Sequence, residues 1–235
     1  MMRTARTFMH CVCLCLCGGV CQSFASEPQR DEFSHWVVGA SVIEGDADVV
    51  LTLPGLPATL DRVDYSGHAV FFRLYPVSQI YLGVAMDSRE GALQQLGSEI
   101  SLESERVGLG WSQAWMRPTQ LIQRLRADIE LYRTHSTVDS NLSVGGMVIP
   151  VSASGYASRA ETNITLHGEF GIALNVGSSV RIDDAARARA NHWNLSKAVT
   201  DHITVAFGQR ISDGDVGNQF SASLKEHTVS VAMRF

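Results

Sequence analysis

Beyond Cys21 the chain contains no cysteine: its five thiols, at positions 11, 13, 15, 17 and 21, all fall within the first 21 of 235 residues. The remainder therefore offers neither a disulfide framework nor a second cysteine cluster of the kind structural metal sites use. Long hydrophobic runs are also missing after the N-terminus, which excludes a membrane-spanning helix of eighteen or more uninterrupted apolar residues. Positive charge is scarce, with 19 Lys and Arg against 24 Asp and Glu. A net charge of −5 speaks against non-specific nucleic-acid binding, which needs a positive field. The 45% hydrophobic content in turn excludes a disordered chain.

The cysteines sit in a segment with its own logic. Arg3 and Arg6 precede an apolar run from Phe8 to Val20, and the small residues Ser23 and Ala25 follow. A basic start, a short greasy stretch and a small-residue exit form a secretory signal peptide over 1–25. The Cys-x-Cys spacing lacks a partner cluster for a metal, and Val20 stands where lipid attachment at Cys21 prefers a small residue. Export places residues 26–235 in an oxidising compartment without a cysteine to cross-link. The expected layout is a short periplasmic segment over 26–34 and one domain over 35–235.

The dominant signal in that domain is alternation. Between 164 and 176, Ile164, Leu166, Phe170, Ile172, Leu174 and Val176 hold even positions, and polar or small residues hold the odd ones. A period of two marks a strand with one greasy and one polar face. Similar segments recur, giving eight strands near 35–44, 68–75, 79–87, 105–115, 121–133, 162–176, 202–211 and 225–235. Longer connections run over 45–67, 88–104, 134–161 and 212–224. Residues 177–201 fit poorly as a tight turn. They leave three readings: a short helix around 183–190, extended neighbouring strands, or an extra pair in a ten-stranded sheet.

The last segment ends on Val229, Val231, Met233 and Phe235 in alternation. It resembles the closing strand of bacterial outer-membrane β-barrels, in which an aromatic end after alternating apolar residues serves as the assembly signal. The class resembled includes the opacity proteins and the transmembrane domain of outer-membrane protein A. That resemblance implies an all-β, antiparallel up-and-down transmembrane barrel in the outer membrane of a Gram-negative bacterium. Eight strands are favoured over ten. The implied partners are outer-membrane lipid and lipopolysaccharide, the barrel-assembly machinery with periplasmic chaperones, and a surface ligand met through the loops. No nucleic acid, metal or cofactor is implied. Closure also follows from physics, because an open edge in lipid leaves amides unpaired.

Two sets of side chains then acquire roles. Trp36, Tyr75 and Trp115, with Phe235, fall near strand ends and are expected to form an interfacial aromatic girdle. The polar faces carry Arg73, Arg106, Arg124, Arg126, Arg210 and Arg234 with Asp87, Asp128, Glu130, Glu169 and Glu226. Mixed charges confined in a narrow lumen must pair, so they are expected to plug it. A selective pore would more readily show a ring of one sign.

An enzymatic reading would rest on His167 with Glu169, His192 with Ser196, or His202 with Asp201. None lies in a recognisable nucleophile motif, and Trp193-Asn194-Leu195 separate His192 from Ser196, unlike the His-x-Ser of deacylase-type barrels. Two loops stand out as well. One carries the apolar run Gly145–Val151. The other, Asp213–Asn218, offers oxygen ligands without calcium-loop spacing.

Overall fold

A computed structural model describes residues 36–51, 59–77, 79–94, 98–116, 121–144, 147–182, 187–216 and 220–235. The segments expected to be signal peptide (1–25) and periplasmic leader (26–34) lie outside the described residues. Ten strands follow one another: β1 Trp36–Leu51, β2 Thr59–Val77, β3 Ile80–Leu93, β4 Ser98–Met116, β5 Arg124–Val144, β6 Met147–His167, β7 Ile172–Arg181, β8 Arg187–Ala198, β9 Ile203–Val216 and β10 Phe220–Arg234. Each pairs antiparallel with its sequence neighbours, and β1 pairs with β10 to close the barrel. Among the described residues no helix is long and apolar enough to cross a membrane.

The register sets the barrel's width. Starting at Trp36 and stepping across each pair, the path runs Leu74, Leu82, Leu109, Leu131, Ala160, Val180, Arg189, Asp213 and Ser223, returning to β1 at Asp48. The circuit therefore closes twelve residues further along β1. With about 3.3 Å per residue and about 4.8 Å between strands, this offset tilts the strands by about 40° and gives a backbone radius of about 10 Å. Large side chains can fill such an interior.

Eight strands become ten for two reasons. The expected strand 162–176 is the end of β6 and the start of β7, folded at Gly168 and the 3-10 turn Glu169–Gly171. Phe170 and Gly171 take left-handed backbone there, with φ of 59° and 72°. Four residues separate His167 from Ile172, an even number, so even positions point outward on both strands and the alternation reads as unbroken. The second addition is β8, out of 177–201. Within that segment 177–181 extend β7 and 187–198 form the one new strand β8, so the sheet has ten strands without the segment supplying a pair of its own, and residues 183–186 lie outside the described part. Most of the other expected loops are strand as well. The apolar run Gly145–Val151 contributes Met147 onward to β6, paired with β5, while Gly145 and Gly146 lie outside the described residues.

The two faces differ sharply. Outward, the strands carry Trp36, Val38, Val42, Phe72, Leu82, Leu109, Trp111, Leu131, Val176, Leu195, Phe207 and Val231, all exposed. This run stops abruptly: Val42 is followed outward by Glu44, Met86 by Ser88, Val107 by Glu105, Leu131 by Arg133 and Val229 by His227. Traced around the tilted strands, the apolar surface forms a belt about 20–25 Å tall, the height of a barrel's lipid-facing band. At one edge of the belt the chain turns back quickly, as at 168–171 and 199–202. At the other edge the strands continue well past it.

Candidate functional site

The lumen is the most elaborated part of the molecule. Among the described residues seven buried arginines (73, 89, 106, 126, 159, 210 and 234) share it with six buried carboxylates (Asp61, Asp87, Asp128, Glu130, Glu161 and Glu226). Strand parity puts them there, since alternate residues of every strand face inward.

Glu130 on β5 is the central acceptor. It takes hydrogen bonds from the Tyr81 hydroxyl at 2.9 Å, from Arg73 Nη2 at 3.4 Å and from Arg106 Nη2. Inward-facing glycines on β4 make room for these groups. A Cβ at Gly108 would stand 2.7 Å from Glu130 Oε1, and one at Gly110 would lie within the Tyr81 ring. The guanidinium of Arg73 lies 4.6 Å from the centre of the Tyr81 ring, and that of Arg106 lies 3.8 Å from the Tyr132 ring. These aromatic faces complete the arginines' surroundings where water is excluded.

Three further groups extend the network. Towards the short-turn end, Arg126 binds Asp128 at 2.9 Å and donates to the Tyr75 hydroxyl at 3.0 Å. Towards the opposite end, Arg89 bridges Asp87 and Glu226, and the Tyr65 hydroxyl donates to Glu226 at 3.1 Å. On β6–β8 a polar ladder runs from Glu161 to Asn163 at 2.9 Å and on to His192 at 2.7 Å. Asn194, Asn175 and Thr165 continue it below, through contacts of 3.2 and 2.8 Å.

Of the charged residues singled out from the sequence, Arg73, Asp87, Arg106, Arg126, Asp128, Glu130, Arg210, Glu226 and Arg234 are buried inside, and Arg124 is half-buried. Glu169 is a correction. It is exposed on the 3-10 turn, because the chain folds back there instead of continuing as a strand. Tyr75 is another. It points inward to Arg126 and not to a girdle, since Phe72 and Leu74 fix the outward parity of β2. Trp36, Trp115 and Phe235 are exposed at the strand ends, as are Val229, Val231 and Met233 along β10. Sequence reasoning misses Arg89, Arg159, Glu161, Asp61 and Tyr65, because they lie in segments that read as loops. The parity of Asn163, Thr165 and His167, carried two and four residues back, reaches Glu161 and Arg159.

The candidate His–Ser pair does not assemble. His192 and Ser196 are four residues apart on β8, about 13 Å along an extended strand. His192 contacts Asn163, and the Ser196 hydroxyl donates to the Ala173 carbonyl at 3.3 Å. His167 is buried while Glu169 is not, and Asp201 and His202 are exposed in a turn. Among the described residues no group of three or more His, Cys, Asp or Glu could hold a metal ion. Asp213 accepts from Ser223 at 2.9 Å, and Gly217 and Asn218 lie outside the described part.

No family model and no curated protein matches the sequence. Solved structures do resemble the fold. Neisserial surface protein A is 14% identical with a TM-score of 0.38, over 86% of this chain and 98% of its own. An outer membrane channel from Pseudomonas putida F1 is 7% identical with a TM-score of 0.47, over 92% of this chain and 100% of its own. The outer membrane protease OmpT from Escherichia coli is 10% identical with a TM-score of 0.40, over 85% and 96%.

Proposed function

We propose that this chain is an integral outer-membrane β-barrel whose lumen is closed by its own charged side chains. It works through the strand extensions and connections that stand outside the bilayer, in a structural or surface-interaction role. One observation carries the reading: an apolar belt on the outside encloses a nearly balanced set of seven buried arginines and six buried carboxylates. In water such a belt would be a large exposed hydrophobic surface, whereas in lipid it is the ordinary exterior of a barrel. Balanced, paired charge inside a backbone radius of about 10 Å leaves no single-sign pathway for an ion.

The short-turn edge, where Trp36 and Phe235 lie, faces the periplasm, and the long strand extensions face outward, following the asymmetry of such barrels. Val229, Val231, Met233 and Phe235 present the closing-strand pattern to the assembly machinery and its chaperones. Planar-bilayer recording tests the closed lumen. The purified protein inserts without stable unit conductance, and reproducible single-channel steps would instead make it a narrow solute channel. Membrane insertion itself is read separately, by flotation with outer-membrane vesicles and by a heat-dependent shift on SDS gels.

A further inference from the structure

The apolar belt is not uniform around the barrel. On β1–β5 and β10 its outward residues are all apolar, from Val38 and Phe72 round to Leu131 and Val231. On β6–β9 it is interrupted. Thr162, Ser178 and Asn191 form one outward row of direct cross-strand partners, and Gln209 extends it on β9, two residues below the partner of Asn191. Ile164, Val176, Leu195 and Phe207 lie beneath these polar groups, and Val180 and Ile211 lie above them, all exposed.

Polarity is out of place here at two levels. Thr162 Oγ1 donates to the Ser178 carbonyl at 3.5 Å and Trp193 Nε1 donates to Gln209 Oε1 at 3.3 Å. The exposed Asn191 amide has no hydrogen-bond partner among the described residues. A hydroxyl or amide facing hydrocarbon costs free energy unless another polar group meets it. Traced around the tilted strands, Val180 and Ile211 stand level with Glu44, Glu105, Arg133 and His227, where the belt has already ended on the other strands. This face is thus too polar for lipid at one level and too apolar for water at the next. Both mismatches disappear when protein covers it.

Four strands make the face about 19 Å wide. On the β5 side it ends where Arg133 begins the charged rim, its guanidinium 4.6 Å from the centre of the Tyr156 ring, on which His135 also stacks. Along its upper edge, Arg189 on β8 and Asp213 on β9 are direct cross-strand partners of opposite sign, so the pair carries no net charge. Lys197 lies at the short-turn edge, within reach of water.

We infer that the outward face of β6–β9 is a dimer interface within the membrane, occupied by a second copy of this chain. Copies of a barrel insert with one polarity, so their two-fold axis runs along the membrane normal and every level of the face meets its own level. With that axis between β7 and β8, Ser178 comes opposite Asn191 of the second copy. Gln209, the longest of the four polar side chains, reaches toward Thr162. Hydroxyl and amide groups both donate and accept, so an identical face satisfies them where lipid does not. The small Ala160 and Ser178 let the two walls approach closely. The neutral Arg189–Asp213 edge avoids the repulsion that two copies would meet through Glu99, Glu103 and Glu105 on β4.

This inference rests on the membrane reading above, and its test separates the two. The full chain is expressed in outer membranes with Asn191→Cys beside the proposed axis or Val84→Cys on the opposite wall, and the membranes are oxidised with copper phenanthroline. Asn191→Cys gives a disulfide-linked dimer, whereas Val84→Cys and the chain without an introduced cysteine do not. In lipid vesicles, energy transfer between separately labelled copies falls as lipid dilutes them. Ser178→Ala with Asn191→Leu, which leaves the lumen untouched, weakens the dimer about tenfold. Absence of a dimer with Asn191→Cys, or as much dimer with Val84→Cys, overturns the interface. So does unchanged energy transfer in the double variant. A crosslink from Asn191→Cys to a different protein, without the dimer, overturns the second copy as occupant. A heat-modifiable band certifies that each variant is folded. If the protein fails to float with vesicles the membrane reading falls, whereas flotation as a monomer at every lipid ratio removes only this inference.

Discussion

Glu130 on β5 and Glu161 on β6 are direct cross-strand partners with both carboxylates inside the lumen, and Arg106 on β4 reaches both of them. Like charges directly opposed across a sheet repel, and burial strengthens the repulsion. Arg106 Nη1 lies 3.7 Å from Glu161, and its Nη2 contacts Glu130, so one guanidinium spans the pair. Arg106→Met keeps much of the side chain's bulk and removes the bridge. It is expected to destabilise the barrel by about 3–5 kcal/mol, the cost of breaking a buried pair. Adding Glu161→Gln should recover part of that loss. Urea unfolding in lipid vesicles reads both variants, and equal stabilities for the single and double variants would show that the bridge does not act between the carboxylates.

Glu169 makes the complementary case. The same residue type on the exposed 3-10 turn has no part in the lumen, so Glu169→Ala is expected within about 0.5 kcal/mol of wild type. A loss in that variant as large as in Arg106→Met would contradict its placement outside the barrel.

How much of this is legible in the sequence depends on the belt. Where a strand crosses it, one face is apolar and the other polar, and the alternation is plain, as at 79–87 and 225–235. Above the belt the pattern changes: on β4 it inverts, with Glu99, Glu103 and Glu105 outward and Ile100 and Leu102 inward, and elsewhere the contrast fades. On β5, Arg133, His135 and Asp139 point outward while Thr134, Ser136 and Ser140 point in, and the period of two disappears although the strand continues. The expected loops are thus strand in which the outward-apolar contrast is lost or reversed. The turn at 168–171 is hidden for the opposite reason, since an even number of residues preserves parity through it. The charged lumen is readable because arginines and carboxylates on an inward parity have few alternatives. Arg89, Arg159 and Glu161 escape only with the segments that carry them. The Arg133–Tyr156 contact joins residues 23 positions apart and depends on the β5–β6 register, which no local pattern specifies.

At the seam, Trp36 on β1 stacks on Phe235 beside β10, with centroids 4.1 Å apart and planes 11° apart. The Phe235 amide also donates to the Trp36 carbonyl at 3.2 Å. Closing the first strand on the last is the step that removes the barrel's edges. A double-mutant cycle of Trp36→Ala and Phe235→Ala should give a coupling of about 0.5–1.5 kcal/mol, as for other stacked aromatic pairs. Strictly additive losses would mean that the two rings contribute independently, through burial in lipid alone.

Inside, the Tyr81 ring lies over Gly110, the two residues being close because they are register partners on β3 and β4. A methyl at position 110 has no space while the ring is there, and the ring cannot move without releasing its 2.9 Å hydrogen bond to Glu130. Gly110→Ala is therefore expected to cost about 1–3 kcal/mol through overpacking. Tyr81→Ala alone also destabilises, because it opens a cavity and removes a donor from a buried carboxylate. The combination should be less harmful than the sum, since the ring that collides with the added methyl is gone. Thermal midpoints of the heat-modifiable band measure all four members of the cycle. An additive result would mean that the collision is relieved by backbone movement, and that the glycine's place beneath the ring is not what holds Tyr81 against Glu130.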